Sequence, residues 1–143
     1  MMKMNKMTAE EYQAINRVEN TRAPKPRAKY NNTETEYDGM TFASKKEAER
    51  YVELKHKERI GEISELVCQP KFTLQPPFYT PQSKRIRAIT YRADFAYQRT
   101  RDDVYVIEDV KSKGTITEAF RLRWKMLQYQ YRNYAQVVCE IWD

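Results

Sequence analysis

A mixed α/β (α+β) domain, with helices on both sides of a central sheet in the order α-β-β-β-α-β, is what this sequence predicts. Three observations point to it. Helical apolar periods over residues 44–59 and 117–134 bracket a run of extended segments. The polar hexapeptide Gln98 to Asp103 joins two β-prone stretches and is too short for a helical crossover, so those strands form an antiparallel hairpin. After the second helix, Gln136 to Trp142 alternates and supplies a further strand, read as covered on both faces.

The length of 143 residues suits one domain. With 41% hydrophobic and 32% charged residues, and no run near the roughly 20 apolar residues of a membrane span, a soluble protein is expected. No apolar stretch like that of a secretory signal follows the first residues, so the expected location is cytoplasmic and no membrane partner is expected. Cys68 and Cys139 are far apart in apolar, alternating segments, which reads as reduced structural thiols. A net charge of +6 points to a polyanionic partner, since phosphate neutralisation supplies much of nucleic-acid affinity.

Residues 1–36 read as an appendage. Thr8 and Glu11 form a capping-box pattern before Ala9, Tyr12 and Ile15, giving a short helix, and Asn20 to Asn32 reads as a flexible basic linker. The main domain is expected over 37–143, opening with the turn signal Asp38-Gly39. Ser44 caps a helix whose apolar side is Ala48, Tyr51, Val52 and Leu54, with Lys45, Lys46, Glu53 and Lys57 facing water and Gly61 ending it. Ile63 to Leu74 is extended, with Pro70 ending one strand or holding it at an edge. A Pro-rich loop around Pro76, Pro77 and Pro81 precedes one strand from Arg85 to Tyr97 and another from Val104 to Lys111. In the second helix Phe120, Trp124, Leu127, Tyr131 and Tyr134 share a buried face, while Arg121, Lys125, Gln128 and Arg132 follow the same spacing on a neighbouring one.

The strand from Val104 is apolar on both faces until Glu108, Asp109 and Lys111. By the two-residue period Tyr105, Ile107, Asp109 and Lys111 share one face, and Val104, Val106, Glu108 and Val110 the other. A second unexpected acid, Asp94, stands between Ala93 and Phe95. A hairpin loop centred between Arg101 and Asp102 places Asp94 across from Asp109, with β-carbons about 4.5–5.5 Å apart, where like charges repel. A bound cation removes that conflict, and Mg²⁺ needs only one or two carboxylates besides water and substrate phosphate. A one-residue slip would instead bring Glu108 opposite Asp94. The bland alternatives are an Asp94 that accepts backbone hydrogen bonds at a bulge and an Asp109 that merely neutralises Lys111.

Ala93-Asp94-Phe95 followed by Glu108-Asp109-Val110-Lys111 resembles the D…(D/E)xK signature of the PD-(D/E)xK nuclease superfamily, which includes restriction enzymes, Holliday-junction resolvases and transposition endonucleases. Ser44 to Ala48, Gln69 to Phe72, Tyr91 to Tyr97 and Glu108 to Gly114 look closer still to a small phage and prophage family placed there, over roughly Tyr30 to the C-terminus. Ala93 stands where the name has Pro, at a position variable in the superfamily. The resemblance implies a restriction-endonuclease-like core and Mg²⁺-dependent hydrolysis of DNA, with Mn²⁺ able to substitute. It also implies an acid from the first helix, carried to Glu47, with Gln69 near the site. Glu47 is equally the third residue after the Ser44 cap, so a capping role stays open beside it.

On that reading Asp94, Asp109 and Glu47 hold the metal, and Lys111 orients or deprotonates the attacking water. Lys113, Arg121, Lys125 and Arg132 form the phosphate-binding surface. Branched DNA of phage recombination or replication is the implied substrate. A homodimer is compatible with two-strand cutting, as in many resolvases, although the sequence displays no coiled coil or dedicated dimer surface. Two other classes fit the same chain. A binding protein that had lost catalysis would bind DNA in a salt-dependent way without turnover. A protein-interaction module, suggested by 11 tyrosines, would bind its partner regardless of salt and of Asp109.

Overall fold

The computed structural model describes residues 34–112 and 114–143; the expected N-terminal helix and basic linker lie outside them. Strands β1 (Thr35–Tyr37) and β2 (Met40–Phe42) form a hairpin. Its turn residues Asp38 and Gly39 both have positive φ, 54° and 73°, as a two-residue turn between twisted strands requires. Pairing starts at Thr35, two residues before the expected start of the main domain.

Helix α1 (Lys45–Arg59) is capped by Ser44, whose Oγ accepts the Glu47 N–H at 3.2 Å. Its buried stripe is Ala48, Arg50, Tyr51 and Leu54. That stripe is centred between Tyr51 and Leu54, which turns Arg50 inward and Val52 out to 41% exposure, against the expected placement of Val52. Lys46, expected in water, is half-buried.

The central sheet has four strands in the order β10-β9-β8-β3. These are β10 (Val137–Trp142), β9 (Val104–Val110), β8 (Phe95–Arg99) and β3 (Ile63–Cys68). β8 and β9 form the expected antiparallel hairpin, running from Phe95↔Glu108 to Arg99↔Val104, and β10 lies parallel to β9. The sheet is mixed and the domain α+β. β10 is an edge strand with Ile141 43% exposed, so it is not covered on both faces as its alternation suggested.

The expected single strand from Arg85 to Tyr97 is divided into β6 (Arg85–Ile86), β7 (Ile89–Arg92) and β8. β7 pairs with β4 (Lys71–Gln75), and β6 with β5 (Phe78–Tyr79), a small hairpin where the Pro-rich loop was expected. Between the β3–β8 and β4–β7 pairs the register is unchanged from Cys68↔Phe95 to Lys71↔Arg92. Two hydrogen bonds carry the ladder across the break, Gln69 N–H to Asp94 O at 2.8 Å and Ala93 N–H to Pro70 O at 3.0 Å. The ladder therefore bends at Gln69, with φ of 53°, and Asp94 sits at the bend.

Alternation along β9 feeds two cores. Val106 and Val110 pack with Phe42, Tyr51, Leu54 and Phe95 on the α1 side. Ile107 packs with Tyr91, Ala93, Trp124 and Leu127 on the opposite side, beneath α2 (Glu118–Gln130). α2 starts after Thr117, where the expected helix begins and which caps it, but ends before Tyr131, so Tyr134 lies beyond the helix and is 49% exposed rather than on the buried face. Cys68 and Cys139 are both free thiols, half-buried against the two cores.

Candidate active site

Three segments meet where β9 ends. Asp109, on the α2 side of the strand, is only 2% exposed, and its Oδ2 accepts a hydrogen bond from the Tyr91 hydroxyl. Lys111 shares that face, and its Nζ stands 2.8 Å from Asp109 Oδ1. The contact is an ion pair by distance without the direction of a hydrogen bond, so this buried oxygen has no hydrogen-bond donor. The Lys111 ammonium also lies 4.4 Å from the centre of the Phe120 ring, a cation–π contact that holds it in place. Asp94 completes the group from the bend: its Oδ2 accepts the Val110 N–H at 2.6 Å, and its own N–H donates to Glu108 O at 3.1 Å. It thus grips the backbone on either side of Asp109.

Too much negative charge is collected here for one lysine to neutralise. Burial, then the charges of Asp109 and Glu47, push the Asp94 carboxyl up to about 8, against the opposing effects of the Val110 N–H and Lys111. Burial also raises Glu47, with Asp109 adding to it and the Ala43 backbone hydrogen bond and Lys111 opposing. The Tyr91 hydroxyl is held far above its ordinary value by burial and by Asp109, so it stays a donor. Glu47 therefore lies within electrostatic reach of Asp94, Asp109 and Lys111 while its N–H serves the Ser44 cap.

These residues fit a hard divalent cation. The donors are carboxylate oxygens, and the buried Asp109 Oδ1 is a lone-pair site with no donor to fill it. Among the described residues no three His, Cys, Asp or Glu converge to hold an ion by themselves. The fit is thus to an ion that takes one or two carboxylates and completes its shell with water and phosphate, as Mg²⁺ does.

The other expected residues are distributed around this cluster. Gln69 adjoins it through its backbone bond to Asp94 O, with its side chain exposed. Arg121, Lys125 and Gln128 are exposed on α2. Arg132 falls in the turn after the helix, where it donates to Tyr129 O at 2.8 Å and stacks on the Tyr129 ring at 3.9 Å, so it departs from the expected stripe. Lys113 lies outside the described residues. His56, given no role, is exposed.

Two participants escape a sequence reading. Tyr91 is one; its only signal is a phenol in a buried strand, which needs a partner. Lys46 is the other, donating from α1 to Lys111 O at 2.9 Å and pairing with Asp143 at 3.1 Å. Glu108 does not approach Asp94 as a slipped register would have made it. It faces α1, where Arg50 Nε and Nη2 donate to its two oxygens at 2.9 and 2.7 Å and the Tyr97 hydroxyl donates at 3.1 Å.

Fold and site together define a mixed α+β protein with a carboxylate–lysine cluster at a bend in its sheet. Residues 27–141 match the model of the family described as Protein of unknown function (DUF1064), and the chain belongs to that family. No curated protein and no solved structure matches it. No helix among the described residues is long and apolar enough to cross a membrane.

Proposed function

We propose that the chain is a Mg²⁺-dependent DNA endonuclease of the PD-(D/E)xK kind, on a restriction-endonuclease-like core, acting in the cytoplasm on branched DNA of phage or prophage recombination and replication. The observation that carries this reading is the buried Asp109 Oδ1, which accepts no hydrogen bond, set beside Lys111 and next to the Val110 amide that Asp94 holds. Tyr91 donates to Oδ2, and Lys111 only ion-pairs with Oδ1. That leaves Oδ1 with a lone pair able to coordinate a cation beside the Lys111 ammonium.

Asp94 and Asp109 would hold the ion, and Glu47, which does not converge with them, would reach it through a coordinated water. When bound, Mg²⁺ supplies Lewis acidity toward water and phosphate. Tyr91 fixes the Asp109 carboxylate through Oδ2 and leaves Oδ1 for the site. Lys111, held by Asp109 and the Phe120 face, orients the attacking water and offsets charge developing on the phosphate. The exposed Arg121 and Lys125 engage the phosphate backbone and set the register of the duplex.

The test is cleavage of labelled four-way junction, flap, single-stranded and linear DNA in Mg²⁺ or Mn²⁺, with Asp109→Ala and Lys111→Ala alongside. Metal-dependent cutting that disappears in both variants supports the proposal. DNA bound equally by all three proteins and cut by none would replace it with a binding module on the same fold.

A further inference from the structure

Within residues 34–143 the positive charge is concentrated in one place. From Leu66 to Ala93 there is no acid beside Lys71, Lys84, Arg85, Arg87 and Arg92, whereas acids outnumber Lys and Arg over the rest of residues 34–143. This stretch contains the β4–β7 ribbon, which leaves the sheet at the Asp94 bend, and beyond it the β5–β6 hairpin. The hairpin's tip is closed by paired Thr80 and Lys84, with Pro81 and Ser83, at φ of 61°, inside it and Pro77 just before the first strand.

The hairpin carries aromatic rings into solvent. Phe78 is 45% and Tyr79 69% exposed. As neighbours in a strand they point to opposite faces, Phe78 with its cross-strand partner Ile86 and Tyr79 with Arg85. Lys84, Arg85, Arg87 and Arg92 are exposed as well. A two-stranded blade with a ring on each face and cations along it suits an unstacked point in a polyanion. Each ring can cover the exposed face of a base, and the cations can take the flanking phosphates.

We infer that the β5–β6 hairpin is a wedge that enters DNA where base stacking is interrupted, and so selects branched over continuous duplex. This rests on the proposed nuclease reading and names its substrate class from a part of the molecule outside the carboxylate cluster. The reach agrees with that role. From Ile86 to Asp94 eight residues of extended chain span at most about 26 Å. At 3.4 Å per base pair, cutting falls within about eight base pairs of the branch.

The experiment measures binding by fluorescence anisotropy of the full chain carrying Asp109→Ala, so that DNA stays intact. Four-way junction, flap and matched linear duplex are compared over a salt series, and phosphatidylserine vesicles serve as a second polyanion. Branched DNA is expected to bind about tenfold or more tighter than duplex. Phe78→Ala with Tyr79→Ala erases that preference and leaves duplex affinity within about twofold, whereas Tyr79→Trp retains it. Arg85→Glu with Arg87→Glu weakens every DNA alike and flattens the salt dependence. All four side chains are at least partly solvent-facing, so unchanged melting temperatures verify that the variants fold. Equal affinity for branched and linear DNA, a preference that survives the double alanine variant, or tighter binding to vesicles than to DNA overturns the wedge. Parallel cleavage assays with Asp109 intact separate the two readings. Duplex cutting without branch preference leaves the nuclease and removes the wedge; a ring-dependent branch preference without cutting does the reverse.

Discussion

Glu108 and Asp109 are consecutive residues of one strand, almost equally buried at 1% and 2% exposure, yet the two faces of β9 treat them oppositely. Glu108 receives a two-pronged guanidinium and a phenol, and Arg50 in turn reaches Glu53 at 2.8 Å and lies 5.0 Å from the Trp142 ring centre. Burial alone would weaken the Arg50 charge, but Glu108 more than restores it. On the other face, Asp109 keeps one oxygen that accepts no hydrogen bond, and its charge adds to the burial that pushes Asp94 toward neutrality. A buried charge that is fully matched is a piece of architecture; one left partly unmatched marks a place where something else belongs.

This contrast can be broken most severely on the Asp109 face. Asp109→Asn should reduce DNA cleavage by about a thousandfold. Its melting temperature should stay level or rise, because a repulsive charge is removed; a large loss of stability would show that Asp109 is architectural after all. Arg50→Ala should do the reverse, destabilising the fold by about 3–5 kcal/mol in urea titrations because Glu108 is left buried and unpaired. The apolar pair Arg50→Met with Glu108→Leu should recover much of that loss and cut DNA normally once folded.

A subtler division follows from Asp94. Its folded-state carboxyl is raised from the ordinary range to about 8, so the folded protein holds this proton more tightly than the unfolded chain. That contribution to stability is complete below the ordinary carboxylate value and is lost as pH rises toward 8. In chelator, thermal melts should show this site stabilising at pH 5.5 and no longer at pH 8.5, with Mg²⁺ restoring stability at the higher pH. Asp94→Asn should abolish both the metal response and this component of the pH dependence. The smallest effect concerns Glu47. Ser44→Ala should cost about 1 kcal/mol with metal response intact, whereas Glu47→Gln should weaken the metal response with little change in melting temperature. Identical behaviour of the two variants would reduce Glu47 to a capping residue.

The parts of this arrangement legible in the sequence were those fixed by short-range geometry. A loop centred between Arg101 and Asp102 set the hairpin register, and period two put Asp109 and Lys111 on one face; Ser44 announced its own helix. Tyr91 was not legible because alternation does not survive the bend. Continued through Asp94, it would place Tyr91 with Phe95, yet Tyr91 and Ala93 join the α2-side core and Phe95 the α1-side core. Arg50 was hidden for a different reason. A charged residue on a helix reads as surface until its partner is known, and Glu108 is 58 residues away in sequence. Likewise nothing in the alternation of β10 distinguishes an edge from a covered strand, since that depends on which strands are left to pair with it.

The 2.6 Å bond from the Val110 amide to Asp94 Oδ2 makes one backbone group an indicator of the whole cluster. Its proton resonance and its exchange with deuterium should follow every change in the charge of that carboxylate. A ¹⁵N-labelled sample titrated with Mg²⁺, and then with acid, would report site occupancy at a single amide, without a substrate and in a protein that need not turn over.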